Sequence, residues 1–101
     1  MISRKAQSLL SLCQRAGKMT SGPASEGLIA KGEAYFVIIA GDASDNTKKK
    51  YKNKCEYYNI PYLICSGKEE LSCCIGKYDR SVFAITDKGF AQGLMTELDY
   101  M

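Results

Sequence analysis

The chain has 101 residues, enough for one domain, residues 1–101, with a modest core of its own. Apolar residues make up 46 %, which excludes a disordered chain, and 14 basic against 11 acidic residues leave a net charge of only +3. Distribution says more than the total. Five of the basic residues lie between Lys48 and Lys54, whereas Asp87, Glu97 and Asp99 lighten the C-terminal end, so the charge is asymmetric and points to a polyanion.

Ser3 to Ala16 reads as a helix, because Ala6, Leu9, Leu10, Cys13 and Ala16 recur at helical spacing and Gly17 is a stop. Its start carries Arg4 and Lys5 but never becomes a continuous apolar run, so neither a signal peptide nor a membrane span is expected. Lys18 to Thr20 suits a short extended piece. Ser21-Gly22-Pro23 then opens a second helix, with Ser21 in the capping position, running to Lys31 and ending at Gly32. Tyr35 to Ala40 is a buried strand of six uncharged residues rich in β-formers. Ser44 or Asp45 caps a third helix, Asn46 to Tyr58, with Tyr51, Cys55 and Tyr58 as its core stripe.

Asn59-Ile60-Pro61 turns the chain into a second buried strand, Tyr62 to Cys65. Ser66 followed by Glu69 is a capping-box pattern opening a short helix to Ile75. Gly76 to Asp79 is a loop, Ser81 to Thr86 a third strand with Val82, Phe83 and Ile85 as its apolar members, and Asp87 caps a last helix carrying Phe90, Leu94 and Leu98. Helices and apolar strands alternate throughout, which predicts an α/β/α sandwich with a largely parallel central sheet. Neither GxGxxG nor GxxxxGK[ST] is present.

Five cysteines (Cys13, Cys55, Cys65, Cys73, Cys74) are an odd number without a CxxC spacing, which predicts free thiols in a reducing, cytoplasmic compartment. With no histidine and no paired thiolates, no metal or other cofactor is expected. The same lack weighs against catalysis. Ser21, Ser44 and the cysteines have no evident base partner, and Asp42 stands without a second carboxylate. Tyr35, Tyr51, Tyr57, Tyr58 and Tyr62 read as core or half-buried residues rather than a stacking platform.

The most informative segment is Ala40-Gly41-Asp42-Ala43-Ser44-Asp45-Asn46-Thr47-Lys48-Lys49-Lys50. A buried strand runs into a small polar turn and then a lysine-rich helix, which places a helix N-terminus at a strand's C-terminal edge, where anions are bound. The lysine run reads either as a solvated helix face or as phosphate contacts.

Three motifs carry a resemblance to a known family. They are Arg15-Ala16-Gly17-Lys18 with Ser21-Gly22, then Gly41-Asp42-Ala43-Ser44-Asp45-Asn46-Thr47-Lys48-Lys49, then Ile85-Thr86-Asp87-Lys88-Gly89-Phe90-Ala91. Together they resemble bacterial YlxQ-type proteins of the L7Ae/L30e ribosomal protein superfamily, over nearly the whole chain. The resemblance implies a three-layer α/β/α sandwich with a four-stranded mixed central sheet. It also implies binding to structured RNA, ribosomal or other, the usual target being a kink-turn; the chain is expected to be a monomer, associated with the ribosome and without a membrane partner. The RNA-binding residues it implies are Ser21, Gly22, Pro23, Ala24 and Gly27 at the second helix start. Gly41 and Asp42 flank them, and Gly76, Lys77, Tyr78, Asp79 and Arg80 form the opposing loop. Lys18, Lys31, Lys48, Lys49 and Lys52 are auxiliary phosphate contacts. The strongest kink-turn binders carry an Asn-Glu-x-x-Lys pattern or a Lys-Gln variant at the helix start. Here Pro23, Ala24 and Gly27 stand in those positions and offer no charged or bidentate base contact, which leaves backbone N–H groups and phosphates. The alternative is an interaction module of the translation machinery that keeps the fold and has lost specific kink-turn binding.

Overall fold

The computed structural model describes residues 3–65, 67–75 and 80–98. In chain order the elements are α1 (Arg4–Arg15), β1 (Met19–Ser21), α2 (Ala24–Ala30), β2 (Phe36–Ala40), α3 (Asp45–Tyr57), β3 (Tyr62–Cys65), α4 (Lys68–Ile75), β4 (Val82–Ile85) and α5 (Lys88–Glu97). Three starts are set by side-chain caps on otherwise orphaned N–H groups. Ser3 Oγ accepts from the Ala6 N–H at 3.1 Å, Ser44 Oγ from Thr47 at 3.1 Å, and Asp87 Oδ2 from Phe90 at 2.9 Å. Ser44 rather than Asp45 is thus the cap of α3, which begins at Asp45, one residue before the expected Asn46. The predicted cap at Ser66 lies outside the described residues.

The four strands form one sheet in the order β1-β4-β2-β3. β2 and β3 run parallel, while β4 lies antiparallel between β1 and β2. The largely parallel sheet expected from the helix–strand alternation is therefore corrected to a mixed one, as the family resemblance implied. Alternation correctly orients β1, β2 and β3, which all run the same way. It fails at β4 because α4 packs on α1 and returns the chain to the edge it left instead of crossing the sheet.

Helices α2 and α3 cover one face of the sheet, and α1, α4 and α5 form the other layer. Every residue of β2 and β4 is buried, because both faces of these central strands are covered and the chain needs no polar alternation there. Phe36, Ile38, Phe83, Leu10, Ile29 and Leu94 are among the fully buried side chains. Each such side chain contributes about 1.5–3 kcal/mol of apolar burial. Tyr62–Cys65, expected as a buried strand, is an edge strand and only half covered, with Ile64 39 % exposed. An uncharged run of four residues does not distinguish an edge from a centre.

In α3, Tyr51 and Cys55 are buried as expected, but Tyr58 lies past the helix end and is exposed. Tyr35 and Tyr57 are exposed as well, so three of the five tyrosines read as core or half-buried stand at the surface. Tyr57 and Tyr58 meet edge to face, with ring centroids 4.8 Å apart. No helix among the described residues is long and apolar enough to cross a membrane.

Burial dominates the thiol chemistry. It raises Cys13 from 9.0 to about 11, with the Asp87 carboxylate adding to the effect, and Cys13 Sγ–H donates to the Lys18 carbonyl at 3.3 Å. It raises Cys55 to about 11 as well, reinforced by Glu56. Both folded values lie above the ordinary one, so the contribution to stability is complete below pH 9 and is lost as pH rises towards 11. Alkylation at pH 8 followed by mass spectrometry should leave Cys13 and Cys55 unmodified in the native chain and modify both in denaturant. The denaturation midpoint should fall as pH rises from 9 to 11.

Candidate nucleic-acid interface

Strand directions bring distant segments to one edge of the sheet. Ser21 pairs with Phe83, Ile39 with Val82, and Ala40 with Cys65. The C-terminal ends of β1, β2 and β3 and the N-terminal end of β4 therefore lie side by side. Ser21-Gly22-Pro23, Gly41-Asp42 and Arg80 leave the sheet together there. The Gly22 N–H donates to the Val82 carbonyl at 3.0 Å, and the Ala40 N–H to the Ser81 carbonyl at 2.8 Å, which locks these exits in place.

Ser21 does not cap α2. It is the last residue of β1, and the N-cap of α2 is Pro23, which makes no side-chain cap hydrogen bond. The turn is held instead by buried Ser25, whose hydroxyl donates to the Thr20 carbonyl at 3.0 Å. Gly22 has φ +78°, a left-handed conformation that strains any residue with a Cβ. With Pro23, Ala24 and Gly27 exposed, this turn presents backbone and small side chains to solvent.

Arg80 joins the turn from the opposite side. A Cβ built on Gly22 would stand 2.7 Å from Arg80 Nη1, so the guanidinium lies directly against the Gly22 backbone. The arginine is anchored at its root by buried Ser72. Arg80 N–H donates to Ser72 Oγ at 3.0 Å, and that hydroxyl donates back to the Arg80 carbonyl at 3.3 Å. Arg80 Nε is buried without a hydrogen-bond partner among the described residues, an unmet donor that ordinarily finds an acceptor. Gly76, Lys77, Tyr78 and Asp79, the rest of the predicted loop, lie outside the described residues.

Asp42 shares the same edge but turns to the other side. Its carboxylate lies 3.4 Å from the position a Cβ on Gly67 would take, and it borders an open groove with Arg4, Gln7 and Ser8 of α1 and Glu69 of α4. Gly41 is half-buried at the start of that turn.

The predicted auxiliary cations fall into separate groups. The Lys18 carbonyl accepts from the Thr86 N–H at 2.8 Å, and Lys31 is the C-cap of α2, so both stand at the far end of the sheet from the Gly22–Arg80 contact. Lys48, Lys49 and Lys52 lie on α3, whose N-terminus begins at the candidate edge. None of the three makes an ion pair among the described residues. Lys50 and Lys54 are one turn apart and face α2. There Lys50 Nζ lies 2.8 Å and Lys54 Nζ 3.1 Å from the two oxygens of Glu26.

Glu26 is the site residue that the sequence left unmarked. Hydrogen bonds from Lys50 and then Lys54 lower its pKa, and Glu26 in turn raises that of Lys50. The carboxylate's contribution is lost as pH falls through its lowered value, and that of Lys50 as pH rises through its raised one. Glu26 and Lys54 are 28 residues apart, beyond any helical or strand period, so no local pattern marks the pairing.

Gly22→Ala should cost about 1–2 kcal/mol in denaturant unfolding, from the left-handed φ and the displaced guanidinium. In an Arg80→Ala background the steric part disappears, and about 1 kcal/mol should remain from φ alone. Equal costs in the two backgrounds would mean that Arg80 does not lie against Gly22.

Comparison with known proteins adds a family context to this geometry. Residues 4–95 match the profile of the ribosomal protein L7Ae/L30e/S12e/Gadd45 family. The chain is 43 % identical over 95 residues to the RNA-binding protein YlxQ of Bacillus subtilis, covering 90 % of this chain and 92 % of that one. It is 42 % identical over 90 residues to the RNA-binding protein YlxQ of Enterococcus faecium, covering 88 % and 86 %. Among solved structures, a Bacillus halodurans protein of unknown function superposes with a TM-score of 0.91 at 34 % identity, covering 96 % of this chain and 99 % of that one. A Giardia lamblia 15.5 kD RNA-binding protein shares the fold, with a TM-score of 0.77 at 19 % identity, covering 94 % and 82 %.

Proposed function

The chain belongs to the ribosomal protein L7Ae/L30e/S12e/Gadd45 family, and from that premise we propose that it binds structured RNA of the kink-turn type. It acts in the cytoplasm as a monomer and associates with ribosomal or another folded RNA. It recognises shape and phosphates and carries out no chemistry. The observation that carries this reading is the Gly22–Arg80 contact. The Arg80 guanidinium lies against a turn of backbone and small side chains, so a cationic group and an accessible main chain share one surface.

That combination suits RNA. Guanidinium groups hydrogen-bond phosphate oxygens and stack on unstacked bases, and a turn without bulky side chains admits a sharply bent strand at close range. Pro23, Ala24 and Gly27 supply no base-edge donors or acceptors, so discrimination falls to backbone groups and to the shape of the RNA. Ser21 and Gly22 line the turn, Arg80 lies against it, Gly41 and Asp42 leave the same sheet edge beside it, and Gly76, Lys77 and Tyr78 are RNA contacts on the strength of the family resemblance. Lys48, Lys49 and Lys52 reach flanking phosphates, and Lys18 and Lys31 touch only RNA long enough to run past the sheet. The names of the two YlxQ relatives support RNA as the partner class.

Binding of a labelled kink-turn RNA, against the same RNA with its G·A pairs disrupted, tests the reading across a salt series. Tight binding to the kinked RNA alone is the expected result. Equal, steeply salt-dependent binding to both would leave only electrostatic affinity, and no binding to either at low salt would turn the reading towards a protein partner. Lys77→Ala with Arg80→Ala should weaken binding and flatten the salt slope by about two counterions. An unchanged slope would remove that loop from the interface.

A further inference from the structure

We propose that Glu26 is a specificity-determining residue, whose carboxylate pairs with both Lys50 and Lys54, offsets one of their two charges and so holds down sequence-independent attraction of RNA to the first turn of α2. The inference rests on the RNA-binding reading above and goes beyond it by assigning a role to an acidic residue at the interface.

The lysine run offers five cations within two turns of α3. Sequence-independent affinity grows with the number of cations free to displace counterions from phosphates. Specificity is the ratio of target to non-target binding, so cations that any RNA satisfies erode it. Glu26 withdraws two of the five, one carboxylate oxygen to each ammonium, at 2.8 and 3.1 Å. It does so in the first turn of α2, between Ala24 and Gly27. Both ammonium groups therefore lie within one side chain's reach of the turn against which Arg80 is placed. Lys48, Lys49 and Lys52 carry no such restraint.

A purely structural role fits less well. α2 is already fastened by the Ser25–Thr20 hydrogen bond and by buried Ile29. Ion pairs that remain in contact with solvent, as these half-exposed side chains do, add little to stability. The two roles predict opposite signs. If Glu26 only braces α2, its loss loosens the turn and weakens RNA binding. If it withholds Lys50 and Lys54, its loss frees them and strengthens binding to any polyanion.

The test is Glu26→Gln in the full chain, read by elution from a heparin column and by affinity for the kink-turn RNA and its G·A-disrupted control. The variant should elute later than the parent and bind the disrupted control about three- to tenfold tighter near 0.1 M salt, with a slope steeper by about one to two counterions. The ratio of kinked to disrupted affinity should fall. Adding Lys50→Gln and Lys54→Gln to Glu26→Gln should abolish the whole gain. Unchanged or earlier elution of Glu26→Gln overturns the proposal, and so does a gain that survives removal of both lysines. If the parent fails to discriminate the two RNAs, the kink-turn reading falls, and heparin elution alone still decides the role of Glu26.

Discussion

Strand β4 runs antiparallel between β1 and β2, and its hydrogen bonds to both neighbours are the constraint on which the interface depends. Val82 starts the strand opposite Ile39, and Phe83 pairs with Ser21, the last residue of β1. That register delivers Arg80 to the edge where the chain leaves β1 through Gly22. Slipping the ladder by one residue would exchange Phe83 and Ile85 with the smaller Val82 and Ala84 between the two covered faces and move Arg80 away from the turn. Core burial and interface geometry are therefore set by the same pairing. The whole of β4 is inaccessible to solvent, so this register is strongly specified.

The connection into β4 makes this arrangement possible. After β3 the chain does not cross the sheet. α4 packs on α1, and buried Ser72 near its middle takes one hydrogen bond from the Arg80 amide and gives one to its carbonyl. A buried hydroxyl is stable only when its donor and acceptor are matched, and here both partners belong to the residue that the interface needs. Ser72 thus couples a helix on one layer to an arginine at the sheet edge. Ser25 does the corresponding work on the other layer, tying α2 back to Thr20.

Much of this fold was legible in the sequence because local signals set it. Asp87 is a cap in sequence and in structure, Ser44 is one of the two caps the sequence offered for α3, and the apolar runs of β2 and β4 mark the strands that both layers cover. What was not legible involves partners distant in the chain. An uncharged strand gives no sign of lying at an edge, so Tyr62–Cys65 looked as buried as Phe36–Ala40. Ser21 has the residue type of a cap, but the pairing of β1 with β4 claims it first, and Pro23 takes the capping position without the hydrogen bond. The segments of the candidate interface came from the family resemblance, and their convergence on one edge follows from strand directions that alternation alone misjudged. Ser25, Ser72 and Glu26 carried no signal, because each acts through a partner that only the folded chain brings near.

The lysine run illustrates the same limit in electrostatic terms. In sequence it is one cluster of five charges. On the helix, Lys50 and Lys54 share the flank that faces α2, and Lys48, Lys49 and Lys52 share the remaining surface. One carboxylate is enough to divide them, since at 2.8 and 3.1 Å from the two ammonium groups it offsets one of their two charges in the field that a distant phosphate would feel through water. The net charge of +3 is therefore a poor guide to what the surface offers a polyanion. Near the Gly22 turn, the cations that count are those left unpaired, and the fold, through the position of α2 against α3, decides which those are.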